Sequence, residues 1–295
     1  MNNQERHFGV VVGIDGSTGS DAAVQWAARE AAMRKLRLTV VRAMPAPTLP
    51  WPTVPALDEF CRRQEADARS IINDAVKLAE GRRVGGRPAE IDSQFFFSGP
   101  VPTLVDMSKD ADMVVVGARG LGTLQRLLLG SVSTGLVHHA RCPVAVIHSA
   151  ASPTPRAVHA PVLLGVDGSP ASELATAIAF EEASLRGVGL LAIHAWSDAE
   201  IAHVSGIEWS GLQTQAEEIL AERLAGWQER YPDVTVHRAV VYARPAAHLL
   251  DRSEQAQLVV VGSHGRGGFA GMLLGSVSTA VAQAAQVPVI VARGH

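Results

Sequence analysis

Short apolar runs alternate with longer amphipathic stretches along the chain, in the same order in both halves. The runs are rich in valine, isoleucine and leucine, as expected for strands buried on both faces of a parallel sheet. The alanine-rich stretches between them have the length of helices. The pattern predicts strands at 9–14, 37–43, 90–97, 112–116 and 143–148, and again at 161–166, 188–195, 233–241, 257–261 and 287–292.

Five strands that alternate with four helices predict a doubly wound, Rossmann-like α/β domain, in which helices flank a five-stranded parallel sheet. The chain of 295 residues is long enough for two such domains in tandem, and we place them at residues 1–150 and 161–295. The linker between them, residues 151–160, is rich in Pro, Ala and Ser. Ligands of such sheets bind beyond the carboxyl ends of the strands.

The two halves are copies of one unit. Residues 13–43 align with residues 165–195 without a gap, which pairs Asp15 with Asp167. A second gap-free match follows a variable middle segment and leads both halves into a glycine-rich motif. An internal repeat of this kind predicts one site in each half.

The glycine motif has the same spacing in both halves. Residues 117–131 are GARGLGTLQRLLLGS and residues 262–276 are GSHGRGGFAGMLLGS, so Gly-x-x-Gly is followed by nine residues and then Gly-Ser. A glycine-rich turn lets a ligand approach the backbone, and the free N–H groups of a helix N-terminus bind phosphate. The motif predicts two phosphate-binding sites.

An Asp-Gly-Ser turn closes the first strand of each half, at the same edge as the glycine motif. The Asp carboxylate is placed to accept hydrogen bonds from ribose hydroxyls or to help hold a metal ion, and the backbone that ends strand two is placed to contact adenine. We expect Ser20 and Ser172 to cap the helices that follow. The predicted nucleotide-binding residues are Gly13, Asp15, Ala43, Gly117, Arg119, Gly120, Gly130, Ser131, Val132 and Ser133, and then Gly165, Asp167, Ala195, Gly262, His264, Gly265, Gly275, Ser276, Val277 and Ser278.

Composition limits the partners of the chain. The net charge is −3 and hydrophobic residues make up 47%, so we expect a globular protein that does not bind nucleic acid nonspecifically. Two cysteines suit a reducing compartment and give neither a disulfide framework nor a metal site. The N-terminus lacks the apolar core of a signal peptide, and no apolar run is long enough to span a membrane. We therefore predict a cytoplasmic protein.

Other nucleotide-binding classes need signatures that this chain lacks. No Gly-Lys pair occurs, which excludes a P-loop kinase, and no Gly-x-Gly-x-x-Gly follows the first strand, as a Rossmann dehydrogenase requires. The turns GIDGS and GVDGS also differ from the signatures of nucleotidyltransferases and ATP pyrophosphatases. Since neither glycine motif contains lysine, we predict no enzyme and no catalytic residue. The alternatives are a slow ATPase and an interaction module that binds no nucleotide.

The repeat and its motifs resemble the universal stress proteins, in the tandem two-domain form common in actinobacteria, over nearly the whole chain. Gly-x-x-Gly, nine residues and Gly-Ser is similar to the ATP-binding signature of that family. The resemblance implies one ATP, with Mg²⁺, in each domain and a regulatory role in the stress response, exerted through an unknown protein partner. It also implies that the fifth strands pair the two domains in an internal pseudo-dimer, and that the chain forms a homodimer. The loops carry Arg119 and Arg126 in one half, and His264 and Arg266 in the other, so we expect unequal affinities.

Overall fold

The structure, a computed structural model, describes residues 7–45, 54–81, 89–120, 129–148, 159–196, 209–265 and 274–294. The chain divides into two compact units, residues 1–149 (unit 1) and residues 150–294 (unit 2). Most of the predicted linker, residues 151–160, lies outside the described residues.

Unit 1 is a parallel sheet with helices between successive strands. Its elements are β1 (Gly9–Gly13), α1 (Thr18–Arg34), β2 (Leu38–Met44), α2 (Val54–Glu80), β3 (Ile91–Phe97), α3 (Pro100–Met107), β4 (Ala111–Gly117), α4 (Ser131–His139) and β5 (Val144–Ile147). The strand order is β3-β2-β1-β4-β5, and neighbouring strands pair in parallel. The order reverses between β1 and β4, which is the switch point where such sheets bind ligands.

Unit 2 repeats the arrangement. Its elements are β6 (Val162–Val166), α5 (Pro170–Arg186), β7 (Leu190–Trp196), α6 (Trp209–Arg230), β8 (Val236–Tyr242), α7 (Pro245–Ser253), β9 (Leu258–Gly262), α8 (Ser276–Ala284) and β10 (Val289–Ala292). The strand order is β10-β9-β6-β7-β8, again with parallel pairs. The predicted fold class is therefore confirmed, and each predicted strand overlaps an observed one.

The central strands explain the apolar runs of the sequence. Val10, Val11 and Val12 of β1 and Val114 and Val115 of β4 are completely buried. Helices cover both faces of a doubly wound sheet, so consecutive residues of a central strand are all apolar. The outermost strand β3 is more exposed, and its sequence IDSQFFF is correspondingly more polar at its start.

The turn after β1 differs from the prediction in where the helix begins. Gly16 has φ +85°, a left-handed conformation that favours glycine. Ser17 is the N-cap of α1, and its Oγ accepts a hydrogen bond from the Ser20 N–H at 3.2 Å. The predicted caps were wrong by three residues, because the glycine turn leads the chain into the helix at Thr18 and leaves Ser20 inside the first turn. Unit 2 shows the same correction, with Gly168 in the turn, Ser169 as the cap and Ser172 in the first turn of α5.

Two further predictions concern membranes and metals. In the described parts of the chain, none of the helices has both the length and the apolar composition needed to cross a membrane. The same residues contain no group of three or more His, Cys, Asp or Glu side chains that could hold a metal ion. Burial raises the pKa of the Cys142 thiol to about 12, so this cysteine stays protonated and unreactive at neutral pH.

Candidate functional site

A cleft of about 500 Å³ lies in unit 1 where the strand order reverses between β1 and β4. Its walls come from the ends of β1, β2 and β4, from α3 and from the start of α4. All ten site residues predicted for the first half line this cleft. The other lining residues are Ile14, Ser20, Val41, Arg42, Pro100, Leu104, Val116 and Leu129.

The strand-one aspartate is fixed between its own turn and the glycine motif. Asp15 Oδ1 accepts a hydrogen bond from the Ser17 N–H at 2.9 Å. Asp15 Oδ2 lies so close to Gly120 that a side-chain carbon at position 120 would clash with it. Asp167 Oδ1 accepts from the Ser169 N–H at 2.9 Å in unit 2, where a side-chain carbon on Gly265 would lie 2.6 Å from Asp167 Oδ2. In each unit, therefore, the observed position of the aspartate carboxylate requires that the second glycine of the motif has no side chain.

The first glycine of each motif is required by packing inside the unit. A side-chain carbon on Gly117 would lie 2.8 Å from the backbone carbonyl of Gly19, in the first turn of α1. A side-chain carbon on Gly262 would lie 2.8 Å from the backbone of Ala171 in α5. These two glycines let the strand end pack directly on a helix, with or without a ligand.

The glycine that precedes α4 has no such requirement. A side-chain carbon on Gly130 would meet its nearest neighbours at 3.5 Å, an ordinary contact, and its φ of −64° is open to any residue. Gly130 is nevertheless the N-cap of α4, and it offers no side chain to the first N–H groups of the helix. Gly275 caps α8 in the same way, with φ −73°. Both helices therefore begin with backbone donors that no capping side chain occupies, which suits an anion.

The residues that follow each N-cap have different environments. Ser131 and Ser276 are exposed, and Val132 and Val277 are half-buried. Ser133 and Ser278 are buried, and their hydroxyls donate hydrogen bonds to backbone carbonyls of the same unit. Ser133 Oγ donates to the Gly117 carbonyl at 2.7 Å, and Ser278 Oγ donates to the Gly262 carbonyl. A ligand at this helix end would meet backbone N–H groups and the exposed serine before the buried one.

The other end of the unit 1 cleft is apolar. Val41 and Ala43 of β2 and Pro100 and Leu104 of α3 form its walls. A side-chain carbon on Gly13 would lie 2.8 Å from Leu104 Cδ1, so glycine at the end of β1 lets α3 pack closely. In unit 2 a side-chain carbon on Gly165 would lie 3.2 Å from Leu249 Cδ1 of α7, and Ala195 is half-buried at the end of β7. The unit 1 cleft thus combines an apolar wall with the uncapped start of α4.

Two side chains at the strand-two end were not predicted. Arg42 lines the unit 1 cleft, and its Nη1 donates to the Ile14 carbonyl at 3.1 Å. His194 occupies the corresponding position in unit 2, with Nδ1 2.7 Å from the Val166 carbonyl. A single basic residue in a largely apolar strand, as in LTVVRAM and LLAIHAW, was the signal that could have revealed them.

The glycine motifs carry different side chains in the two units at one position. Arg119 lines the unit 1 cleft, and His264 takes its place in unit 2, where His264 Nδ1 lies 3.1 Å from Ser263 Oγ. Arg126 and Arg266 lie outside the described residues. Unit 1 thus has two arginines, Arg42 and Arg119, among the residues that line its cleft.

Comparison with known proteins identifies the family. A model of the universal stress protein family matches residues 9–148 and 160–293. The chain is 57% identical to Universal stress protein Rv2005c of Mycobacterium tuberculosis over 99% of both chains. It shares its fold with the crystal structure of a universal stress protein from Archaeoglobus fulgidus, with a TM-score of 0.70 and 21% identity over 98% of this chain and 99% of that one. A universal stress protein in complex with cAMP covers 49% of this chain at 27% identity, with a TM-score of 0.37.

These matches bear on two predictions from the sequence. The tandem architecture is confirmed, since the family model matches twice, once in each unit. The prediction of a protein that is not an enzyme agrees with the family, whose members are generally regulatory. The chain belongs to the universal stress protein family.

Proposed function

We propose that the chain binds one ATP, with Mg²⁺, in each unit and acts as a nucleotide-dependent regulatory protein of the stress response. The observation that carries the proposal is the unit 1 cleft, where ten residues from sequence-distant segments converge. Its volume of about 500 Å³ lies within the range of roughly 300–1,000 Å³ typical of small-molecule sites. Its lining combines apolar surface, a carboxylate and an uncapped helix start, which suit the base, the ribose and the phosphates of a nucleotide.

The phosphate end of the proposed site is the start of α4. The uncapped N–H groups after Gly130 and the positive end of the helix dipole attract a polyphosphate. Arg119 adds a guanidinium, which binds phosphate oxygens through paired donors. Mg²⁺ would accompany the phosphates and keep most of its ligands from phosphate and water.

The nucleoside end of the proposed site is the apolar wall and the aspartate. Ala43, Pro100 and Leu104 offer apolar surface against which an adenine ring can stack. Asp15 is held by its turn at the end of β1, where a carboxylate can accept hydrogen bonds from ribose hydroxyls. Unit 2 keeps the equivalent aspartate turn and uncapped helix, which supports a second ATP there.

Nucleotide content and site-blocking variants test the proposal. We expect about two ATP per chain in the protein purified without added nucleotide, released by denaturation and measured by mass spectrometry. Gly130→Asp should reduce this to one, because the new carboxylate caps the N–H groups of α4 and repels phosphate. Gly275→Asp should do the same in unit 2. The matched control is Gly226→Asp, which makes the same charge change in open space on α6.

Folding of these variants is measured in parallel. Asp is a favoured N-cap, so the free energy of unfolding should stay equal or rise in both cap variants. Loss of ATP at unchanged stability assigns the nucleotide to the mutated cleft. No bound nucleotide in the original chain, and no binding of added ATP, would overturn the proposal. Binding of cAMP in preference to ATP would change the proposed ligand but not the proposed location of the site.

A second candidate function is a protein-interaction module that binds no nucleotide. The observation that favours it is the internal packing of Gly117 and Gly262 on α1 and α5, which explains these glycines without a ligand. It gives Gly130 and Gly275 no packing role, because neither has a close neighbour or a special backbone conformation, and leaves them only as N-caps. The nucleotide proposal adds a reason for a cap without a side chain, since it keeps the first N–H groups open to phosphate.

The remaining parts of the proposal concern turnover, assembly and location. A slow ATPase is the alternative, and sustained hydrolysis at saturating ATP that Asp15→Asn abolishes would establish it. We further propose pairing of the two units through β5 and β10, homodimer formation, a regulatory protein partner and a cytoplasmic location. Small-angle scattering and cross-linking test the assembly, and separated units in solution would contradict the pairing.

A further inference from the structure

At two corresponding positions of the proposed site, unit 1 has arginine where unit 2 has histidine. Arg42 of β2 corresponds to His194 of β7. Arg119, after β4, corresponds to His264, after β9. Arginine is always charged in proteins, whereas histidine changes its charge between pH 5 and 8. The two units therefore carry permanent and titratable cations at the same places.

The first exchanged pair reaches the same backbone atom in each unit. Arg42 Nη1 donates to the carbonyl of Ile14, and His194 Nδ1 lies 2.7 Å from the carbonyl of Val166. Ile14 and Val166 immediately precede the two site aspartates. Because a carbonyl only accepts hydrogen bonds, His194 carries a hydrogen on Nδ1. The bond holds the buried ring at the strand end.

The second exchanged pair lies beside the uncapped helix ends. A side-chain carbon on Gly130 would lie 3.5 Å from Arg119 Cα, and one on Gly275 would lie 3.5 Å from His264 Cα. The backbone therefore places both residues identically relative to the N-caps of α4 and α8. His264 is half-buried, so a charge on it acts on a phosphate at this helix end with less screening than in open water.

We propose that the arginine pair makes unit 1 a site whose ATP affinity is independent of pH, whereas the histidine pair, His194 and His264, makes the affinity of unit 2 rise as pH falls. This inference rests on the proposed ATP binding of both units. It assigns a regulatory difference to the two sites: unit 1 holds its nucleotide throughout, and unit 2 gains or loses nucleotide as pH changes within the physiological range.

Other charged groups of unit 2 add to the potential around these histidines. Charged and titratable groups on the elements packed against them include Asp167 at the end of β6, Glu173 in the first turn of α5, Arg223 of α6, Arg238 of β8 and His248 of α7. The helix α8 carries no ionisable residue. Carboxylates favour protonated histidine and guanidinium groups oppose it.

The sign of the effect follows from charge. A cationic imidazole makes unit 2 resemble the arginine-bearing unit 1, whereas a neutral imidazole attracts a polyphosphate less strongly. The terminal phosphate of ATP also takes up a proton as pH falls, which weakens binding to any cationic site. Because this second effect is common to both units, the comparison between them removes it.

The test measures ATP affinity one unit at a time in the full-length chain. Gly130→Asp leaves unit 2 available, and Gly275→Asp leaves unit 1. After the copurified ATP has been removed, isothermal titration with Mg-ATP at pH 5.5 and pH 8.0 should show that unit 2 loses about tenfold in affinity relative to unit 1 as pH rises, the size expected for one or two charge-assisted contacts. His194→Arg and His264→Arg together, in the Gly130→Asp chain, should remove this difference.

The reverse exchange provides a second readout. Arg42→His and Arg119→His, in the Gly275→Asp chain, should give unit 1 the pH dependence of unit 2. Equal pH dependence in the two units, or a dependence that survives both histidine substitutions, would overturn the inference and leave ATP binding intact. Absence of ATP binding to either unit at both pH values would overturn the proposed function together with it.

Discussion

In unit 1 the turn after β1 lies under Ile71 of α2, whereas in unit 2 the corresponding turn lies under the guanidinium of Arg223 from α6. The turns themselves are alike, since Gly16 and Gly168 both adopt left-handed conformations. The comparison distinguishes the backbone geometry of the site from the charges around it. The backbone geometry of the site is the same in both units, while the charges of the side chains around it differ. Substitutions of corresponding glycines should therefore have similar effects in the two units, whereas substitutions of charged side chains should have different effects.

The largest effect is expected from a methyl group on the first glycine of each motif. Gly117→Ala and Gly262→Ala each place a carbon 2.8 Å from the backbone of the adjoining helix. Because backbone cannot rotate away, we expect each to lower the free energy of unfolding by about 1–3 kcal/mol, as overpacking does. Urea unfolding measures the change.

The control for this comparison is Gly130→Ala, where the new carbon meets only ordinary contacts. We expect a loss of less than about 1 kcal/mol there, because alanine is a somewhat poorer N-cap than glycine. A strong effect of Gly117→Ala combined with a negligible one of Gly262→Ala would show that the two units do not share the same packing requirement.

A smaller effect with opposite signs is expected where α1 and α5 end. Lys35 and Gly187 are both left-handed C-caps, with φ 57° and φ 63°. A residue with a side chain is strained in this conformation and glycine is not. Lys35→Gly should therefore raise the free energy of unfolding by about 1 kcal/mol, and Gly187→Lys should lower it by a similar amount. No atom lies within 4 Å of a side-chain carbon at position 187, so a clash cannot account for the loss. Equal signs for the two variants would contradict this account.

The fold was predictable because the hydrophobic pattern repeats. Runs such as VVV in β1 and β4 occur where a strand is covered on both faces, and no local detail is needed to recognise them. The helix starts were less predictable. Ser17 and Ser20 are both good caps by residue type, and the choice depends on the left-handed turn at Gly16 and on the bond from the Ser17 N–H to Asp15. Local geometry of this kind is not encoded in residue preferences.

The candidate site also has some residues that could be predicted from the sequence and others that could not. The glycine and aspartate positions were visible in the sequence because they recur with fixed spacing, and the structure brings those of unit 1 to one cleft. Arg42 and His194 were missed because they lie inside strands that were recognised by their apolar residues, whereas Arg119 and His264, which also differ between the repeats, lie inside the glycine motif. The role of Gly117 as a packing residue also needed the structure, since only coordinates show how closely the first turn of α1 approaches it.

The smallest effect is expected from the residue that covers the turn of unit 2. In the Gly130→Asp chain, Arg223→Ile should weaken ATP binding about threefold, because it removes a permanent positive charge whose action on the ligand is partly screened. The loss should be the same at pH 5.5 and pH 8.0 and should shrink as salt is added. Arg230→Ile is the matched control: it changes the net charge equally on the same helix, but Arg230 stacks on Trp227, 5.6 Å from the ring centre. If Arg223→Ile altered the pH dependence itself, the titratable behaviour of unit 2 would depend on α6 as well as on its two histidines. If the control weakened binding as much, net charge alone would explain the effect, and the difference between Ile71 and Arg223 would have no specific consequence for the site.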